Sequence, residues 1–142
     1  MLVGVPKEIK NHEYRVGMTP LSVREAVRHA HKVFVETGAG AGIGASDDDY
    51  KKAGATIIKT AEEIFARADM IVKVKEPQKA ERKRLREGQI LYTYLHLAPD
   101  PEQTRDLVKS GAVCIAYETV TGQRGGLPLL APMSQVAGRM SI

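Results

Sequence analysis

The chain has 142 residues, 43% of them apolar and 27% charged, with 13 glycines and 7 prolines spread along it, which fits one globular domain and excludes a disordered tail or a fibre. The single cysteine, Cys114, excludes an internal disulfide framework and a cysteine-rich zinc site, and no apolar run approaches the roughly 20 residues a bilayer span requires. Much of the net charge of +4 sits in "KAERKRLREG", residues 79–88, where Glu81 and Glu87 interrupt the run and no aromatic can stack on a base, so it reads as a solvated helix face with no nucleic-acid partner. The opening "MLVGVPKEIK" lacks the apolar region of a signal peptide, and a soluble, cytoplasmic protein with no membrane partner is expected.

In chain order, the first expected strand is Leu2–Val5, followed by the polar loop "KEIKNHEYRVGMTP". Thr19 before Pro20 is an N-cap with proline at the first helical position, and Leu21, Val23, Ala26, Val27 and Ala30 recur at helical spacing behind it. A strand over Lys32–Glu36 leads into "TGAGAGIGAS", after which Ser46 and the acidic "DDDY" open a short helix. Thr56–Ile58 is the next strand, and Thr60 with Glu63 makes a capping box for "AEEIFARA". Strands follow over residues 70–74 and 90–95, then Asp100 and Pro101 cap "PEQTRDLVKS", which stops at Gly111. The last strand covers residues 112–117 and holds Cys114 as a buried thiol.

Strands alternating with amphipathic helices give parallel pairing through right-handed crossovers, so the fold class is α/β, a doubly wound, mainly parallel sheet of Rossmann-like or flavodoxin-like type. Ligands bind such sheets outside the carboxyl ends of the strands. There the sequence delivers Arg15 from the first loop, Lys75 at the end of "MIVKVKEP", His96 at the end of "ILYTYLH" and Glu118 after "AVCIAYE". Each has a plainer account: a surface arginine, a lysine snorkelling to water, a hydrogen-bonded structural histidine, and a glutamate capping a turn or pairing with a lysine. Their coincidence on one edge points to chemistry of a definite type. An arginine fork matches a carboxylate, a lysine can hold a carbonyl oxygen, and an imidazole can pass a proton near neutral pH, a set suited to a 2-oxo or 2-amino acid. Lys73 sits one step deeper than Lys75 on the same face and requires an acidic or carbonyl partner.

The glycines of "TGAGAGIGAS", at 38, 40, 42 and 44, do not fit G-x-G-x-x-G, and Asp47, Asp48 and Asp49 would occupy the helix end that a pyrophosphate needs, so the segment reads as a flexible turn. There is no Walker sequence, and His12, His29, His31 and His96 lack acidic neighbours at metal-ligand spacing, so no metal site is expected.

"VGVPKEIKNHEYRVGMTP", "VETGAGAGIG", "ADMIVKVKEP", "LYTYLHLAPDPEQT", "CIAYETV" and "PLLAPMSQVAGRM" together resemble the N-terminal, substrate-binding part of alanine dehydrogenase, in order and across the whole chain. The transhydrogenase alpha subunit is a more distant likeness. The resemblance implies NAD-dependent conversion of L-alanine and water to pyruvate, ammonia and NADH. It implies that Arg15 and Lys75 bind the substrate, that His96 is the catalytic acid/base, and that Ser134 contacts the cofactor; it gives Glu118 no catalytic role. It further implies that a Rossmann domain carrying most of the NAD site follows this point. On that reading residues 1–128 are an incomplete substrate-binding domain, and residues 129–142 begin a linker helix. The expected product is a truncated or split enzyme, inactive alone, whose partners are pyruvate or L-alanine and either the missing NAD-binding half or copies of itself. Two alternatives remain: a small-acid binding module without redox activity, and the N-terminal part of a transhydrogenase alpha subunit.

Overall fold

Strand–helix alternation builds one sheet. The computed structural model describes residues 1–141. Among them the strands are β1 (Leu2–Val5), β2 (Lys32–Glu36), β3 (Thr56–Ile58), β4 (Met70–Val72), β5 (Ile90–Thr93) and β6 (Val113–Ala116), and all five pairings are parallel. The helices are α1 (Pro20–Arg28), α2 (Asp47–Lys52), α3 (Ala61–Arg67), α4 (Lys79–Arg82), α5 (Pro101–Ser110) and α6 (Ala131–Met140). The strand order is β3-β2-β1-β4-β5-β6, the order of the doubly wound dinucleotide-binding fold. The chain therefore leaves β1 toward one edge and β4 toward the other, and a crevice opens between them at the carboxyl ends.

Period-two alternation divides the core between the two sheet faces. Val3, Val5, Val33, Val35 and Val72 pack with Val23 of α1 and with Tyr50 and Ala53 of α2. Phe34, Ile71 and Leu91 pack on the opposite face with Ile64 and Phe65 of α3 and Leu107 of α5. Toward β6 the first face is uncovered: Val113 is 51% and Ile115 38% exposed.

The caps at Thr19, Ser46 and Asp100 form as expected, each side chain accepting a backbone N–H of the first turn. The capping box at Thr60 is only half made. Thr60 Oγ1 accepts the Glu63 N–H at 3.3 Å, but the Glu63 carboxylate turns to Arg67. Cys114 is half-buried, with burial raising its thiol pKa. The basic run 79–88 is not a solvated helix face: α4 lasts four residues, Glu81 and Arg82 are buried, Arg82 pairs with Asp106 at 2.7 Å, and Arg86 donates to the carbonyls of Phe65 and Ala68. Part of the run's charge is spent on internal partners, while Lys79, Lys83 and Glu87 stay exposed.

Lys73 has its acidic partners. Its side chain is 1% exposed, with Nζ 3.0 Å from Glu8 Oε2 and 2.7 Å from Glu81 Oε1, and both carboxyls are equally buried. Glu81 Oε2 accepts the Gln78 N–H at 2.8 Å, whereas its Oε1 lies close to the ammonium without a well-aligned N–H. The glycine-rich turn is ordered as well. It contains a 3₁₀ turn over Ala41–Ile43, and a Cβ built on Gly42 would lie 2.2 Å from the Tyr14 carbonyl oxygen. The turn is a seat for the loop that carries Arg15. Gly17 plays the reciprocal part, since a Cβ there would meet the Val72 carbonyl oxygen at 2.3 Å.

Two outcomes are expected. Lys73→Met strands two buried carboxyls and should cost about 3–5 kcal/mol in urea unfolding, with most of the loss recovered when Glu8→Gln and Glu81→Gln are added; a cost under about 1 kcal/mol would show that the cluster does not hold the fold. Gly42→Ala should cost about 1–3 kcal/mol in the same assay by pushing the Tyr14 backbone away, and an unchanged midpoint would contradict the seat.

Candidate functional site at the strand carboxyl ends

The loop of residues 6–19 is pinned before it reaches Arg15. Glu8 Oε1 accepts the Val74 N–H at 2.7 Å while Oε2 takes the Lys73 ammonium, Lys10 pairs with Glu76, and Tyr14 rests on Gly42. Arg15 then closes on Glu13. Its Nε and its own N–H donate to Glu13 Oε1 at 2.8 and 2.9 Å, and Nη2 donates to Oε2. These bonds hold the Glu13 carboxyl below its usual range against the opposing cost of burial, and the charge of Lys75 adds to the effect. The remaining guanidinium nitrogen, Nη1, lies 3.9 Å from the Met133 sulfur on α6.

Lys75 stands three residues beyond β4 and is half-buried, and Thr93 Oγ1 donates to its carbonyl at 2.9 Å, tying it to β5. His96 stands three residues beyond β5, exposed, with a φ of +47°. A non-glycine residue in that region is strained and persists where its surroundings hold it. The holder is Glu118, whose carboxylate accepts the N–H of Leu95 at 3.0 Å and of His96 at 2.7 Å. Glu118 is therefore neither a turn cap nor a lysine partner; it fixes the backbone from which the imidazole projects.

Three tyrosines cluster at the ends of β5 and β6. Tyr117 meets Tyr92 and Tyr94 edge-on at 4.3 and 4.8 Å, and burial among them pushes its hydroxyl pKa far up. The Tyr94 hydroxyl donates to the Leu129 carbonyl, so the chain entering α6 is tied to β5. Burial raises the Tyr94 pKa, the Arg15 charge lowers it and the Glu118 charge raises it. A cleft of about 300 Å³ lies against these rings, with Val74 and Leu129 in its walls.

Ser134 occupies the second turn's start in α6, exposed, its hydroxyl 3.4 Å from the Leu130 carbonyl oxygen. The dinucleotide-like turn offers no phosphate cradle: Asp47 already accepts the Thr37 hydroxyl at 2.5 Å and the Gly38 N–H at 2.8 Å. Among the described residues no group of three or more His, Cys, Asp or Glu side chains could hold a metal ion, and no helix is long and apolar enough to cross a membrane. Sequence reasoning missed Glu13, Glu8 and Tyr94. Only Glu13 left a signal, an acid two residues before the arginine.

Comparisons with known proteins bear on the family and the fold. The family model described as "Alanine dehydrogenase/PNT, N-terminal domain" matches residues 4–137. Alanine dehydrogenases of Halomonas elongata and Methanococcus maripaludis are 55% and 56% identical over 142 residues, the whole of this chain and 38% of each relative. A solved L-alanine dehydrogenase structure superposes with a TM-score of 0.94 at 51% identity, over 100% of this chain and 39% of the other. A transhydrogenase structure from Sinorhizobium meliloti gives 0.78 at 30% identity, over 83% of this chain and 35% of that one. The chain thus spans well under half the length of the relatives it matches, and it belongs to the alanine dehydrogenase/PNT N-terminal domain family.

Proposed function

We propose that this chain is the substrate-binding part of an NAD-dependent L-alanine dehydrogenase, which converts L-alanine, water and NAD to pyruvate, ammonia and NADH in the cytoplasm. The observation that supports it best is the placement of Arg15, Lys75 and His96 after β1, β4 and β5, three strands that are neighbours in the sheet, with Arg15 and Lys75 both acting on Glu13. This is the switch point at which doubly wound sheets take ligands.

In this reading Arg15 holds the substrate carboxylate, using the edge of the guanidinium that Glu13 leaves free. Lys75 places its ammonium on the oxygen of the keto group. His96 accepts a proton as water adds to the oxidised carbon and ammonia leaves, and returns it in the reverse direction. The edge-on tyrosines and Leu129 shield the small apolar end of the substrate from water. Bound NAD would supply the hydride acceptor for the alanine α-carbon. The exposed hydroxyl of Ser134, one residue from the Met133 that touches Arg15, is the group here that fits a contact with it. The rest of the cofactor site would come from a separate NAD-binding portion, with residues 1–128 as the substrate domain, 129–142 as the lead into that portion, and copies of the chain as further partners.

Calorimetric titration with pyruvate tests the reading. Arg15→Ala should weaken binding about 100-fold or more, because a charge-assisted carboxylate contact is lost. His96→Ala should bind pyruvate within about threefold of the parent while turnover, assayed with the NAD-binding portion present, falls about 10²–10⁴-fold. Undiminished pyruvate binding by Arg15→Ala would remove the proposal.

A further inference from the structure

The proposed keto-acid site contains an acid for which the reaction has no use. Glu13 is 6% exposed at its side chain, yet it is bound to the one arginine assigned to the substrate, and the charge of Lys75 acts on it. It grips Arg15 through both carboxylate oxygens and also takes the Arg15 backbone N–H. The guanidinium itself stays 46% exposed, so a ligand can still reach it on the side away from Glu13. A brace of this geometry needs only two acceptor oxygens. A buried carboxylate brings a full negative charge in addition, and that charge acts on an anion that reaches Arg15.

We propose that Glu13 is a specificity-determining residue: bound to Arg15 through both carboxylate oxygens, it cancels one of the two positive charges that Arg15 and Lys75 bring and matches the site to a 2-oxo acid carrying a single carboxylate. This rests on the assignment of Arg15 and Lys75 to the substrate. With Glu13 in place the three groups sum to one positive charge, which a monocarboxylate neutralises. A dicarboxylate of similar size would leave the cluster negative, and exclusion by uncompensated charge is how a small site rejects a near-isostere. Pyruvate and ketomalonate differ in this way, since a second carboxylate replaces the methyl group.

The test is calorimetric binding of pyruvate and of ketomalonate to the intact protein and to Glu13→Gln, Glu13→Asp and Arg15→Ala. Glu13→Gln keeps an acceptor for Arg15 and removes the charge. It should shift the ratio of ketomalonate to pyruvate affinity at least about tenfold toward ketomalonate, while Glu13→Asp, which keeps the charge, should leave the ratio within about twofold. A folded Glu13→Gln variant with an unshifted ratio overturns the proposal and leaves the substrate assignment standing. Pyruvate binding that Arg15→Ala does not weaken overturns the substrate assignment, and this inference with it. Should Glu13→Gln fail to fold, Lys75→Gln lowers the local charge by the same amount and must weaken ketomalonate more than pyruvate; equal weakening refutes the role of net charge.

Discussion

The carboxylate of Glu8 is the interaction on which the rest of the site depends. One of its oxygens takes the N–H of Val74 and the other takes the ammonium of Lys73, so a loop residue completes the strand where β1 has run out. Glu81 approaches the same ammonium from α4, which ties the loop after β1, the end of β4 and the next helix to one buried point. Burying a lysine with two carboxyls is costly in desolvation, and such clusters are often no better for stability than apolar packing. What it supplies here is registry. Arg15 and Lys75 lie seven residues after Glu8 and two after Lys73, and the joint ties together the backbone segments from which both side chains start.

A second carboxylate repeats the device one strand further along. Glu118 takes the N–H groups of Leu95 and His96 where β6 has ceased to pair with β5. At both places a side-chain oxygen replaces a strand carbonyl at the carboxyl edge. That substitution frees the backbone from sheet geometry while leaving no buried N–H unpaired. His96 can then hold a left-handed φ that a continued strand would forbid. The site is thus built from strand terminations, each stabilised by an acid, and the acids lie at its base while the basic groups form its rim.

The same devices explain which parts of the fold were legible in the sequence. Alternating apolar runs and the caps at Thr19, Ser46 and Asp100 declare themselves locally, because a helix start or a buried strand is decided by neighbours within a few residues. The α/β class and the carboxyl-edge placement of Arg15, Lys75 and His96 follow from them. Strand ends did not follow. Residues 73–74 and 94–95 read as strand from their composition, but their pairing partners are supplied in part by Glu8 and Glu118, which are 66 and 23 residues away from Val74 and Leu95. The basic run 79–88 misled for the same reason: nothing near Arg82 in sequence announces Asp106. Long-range pairing of charged groups leaves no periodic trace, and Glu13 was visible only as a neighbour of Arg15.

The glycine-rich turn after β2 shows how one fold can place a small-acid site and decline a nucleotide at the same edge. In a dinucleotide loop the free N–H groups at the start of the following helix face a phosphate. Here Asp47, the first residue of α2, folds back to accept the Gly38 N–H and the Thr37 hydroxyl, so the chain provides its own anion. The glycines are then released for a different task. Gly42 lets the Tyr14 carbonyl approach within a distance that any side chain would block, and this contact seats the arginine loop on the turn. The charges obey the same logic: acids neutralise the helix end on the β2 side of the sheet, while Arg15 and Lys75 are carried to the carboxyl ends beside β1 and β4.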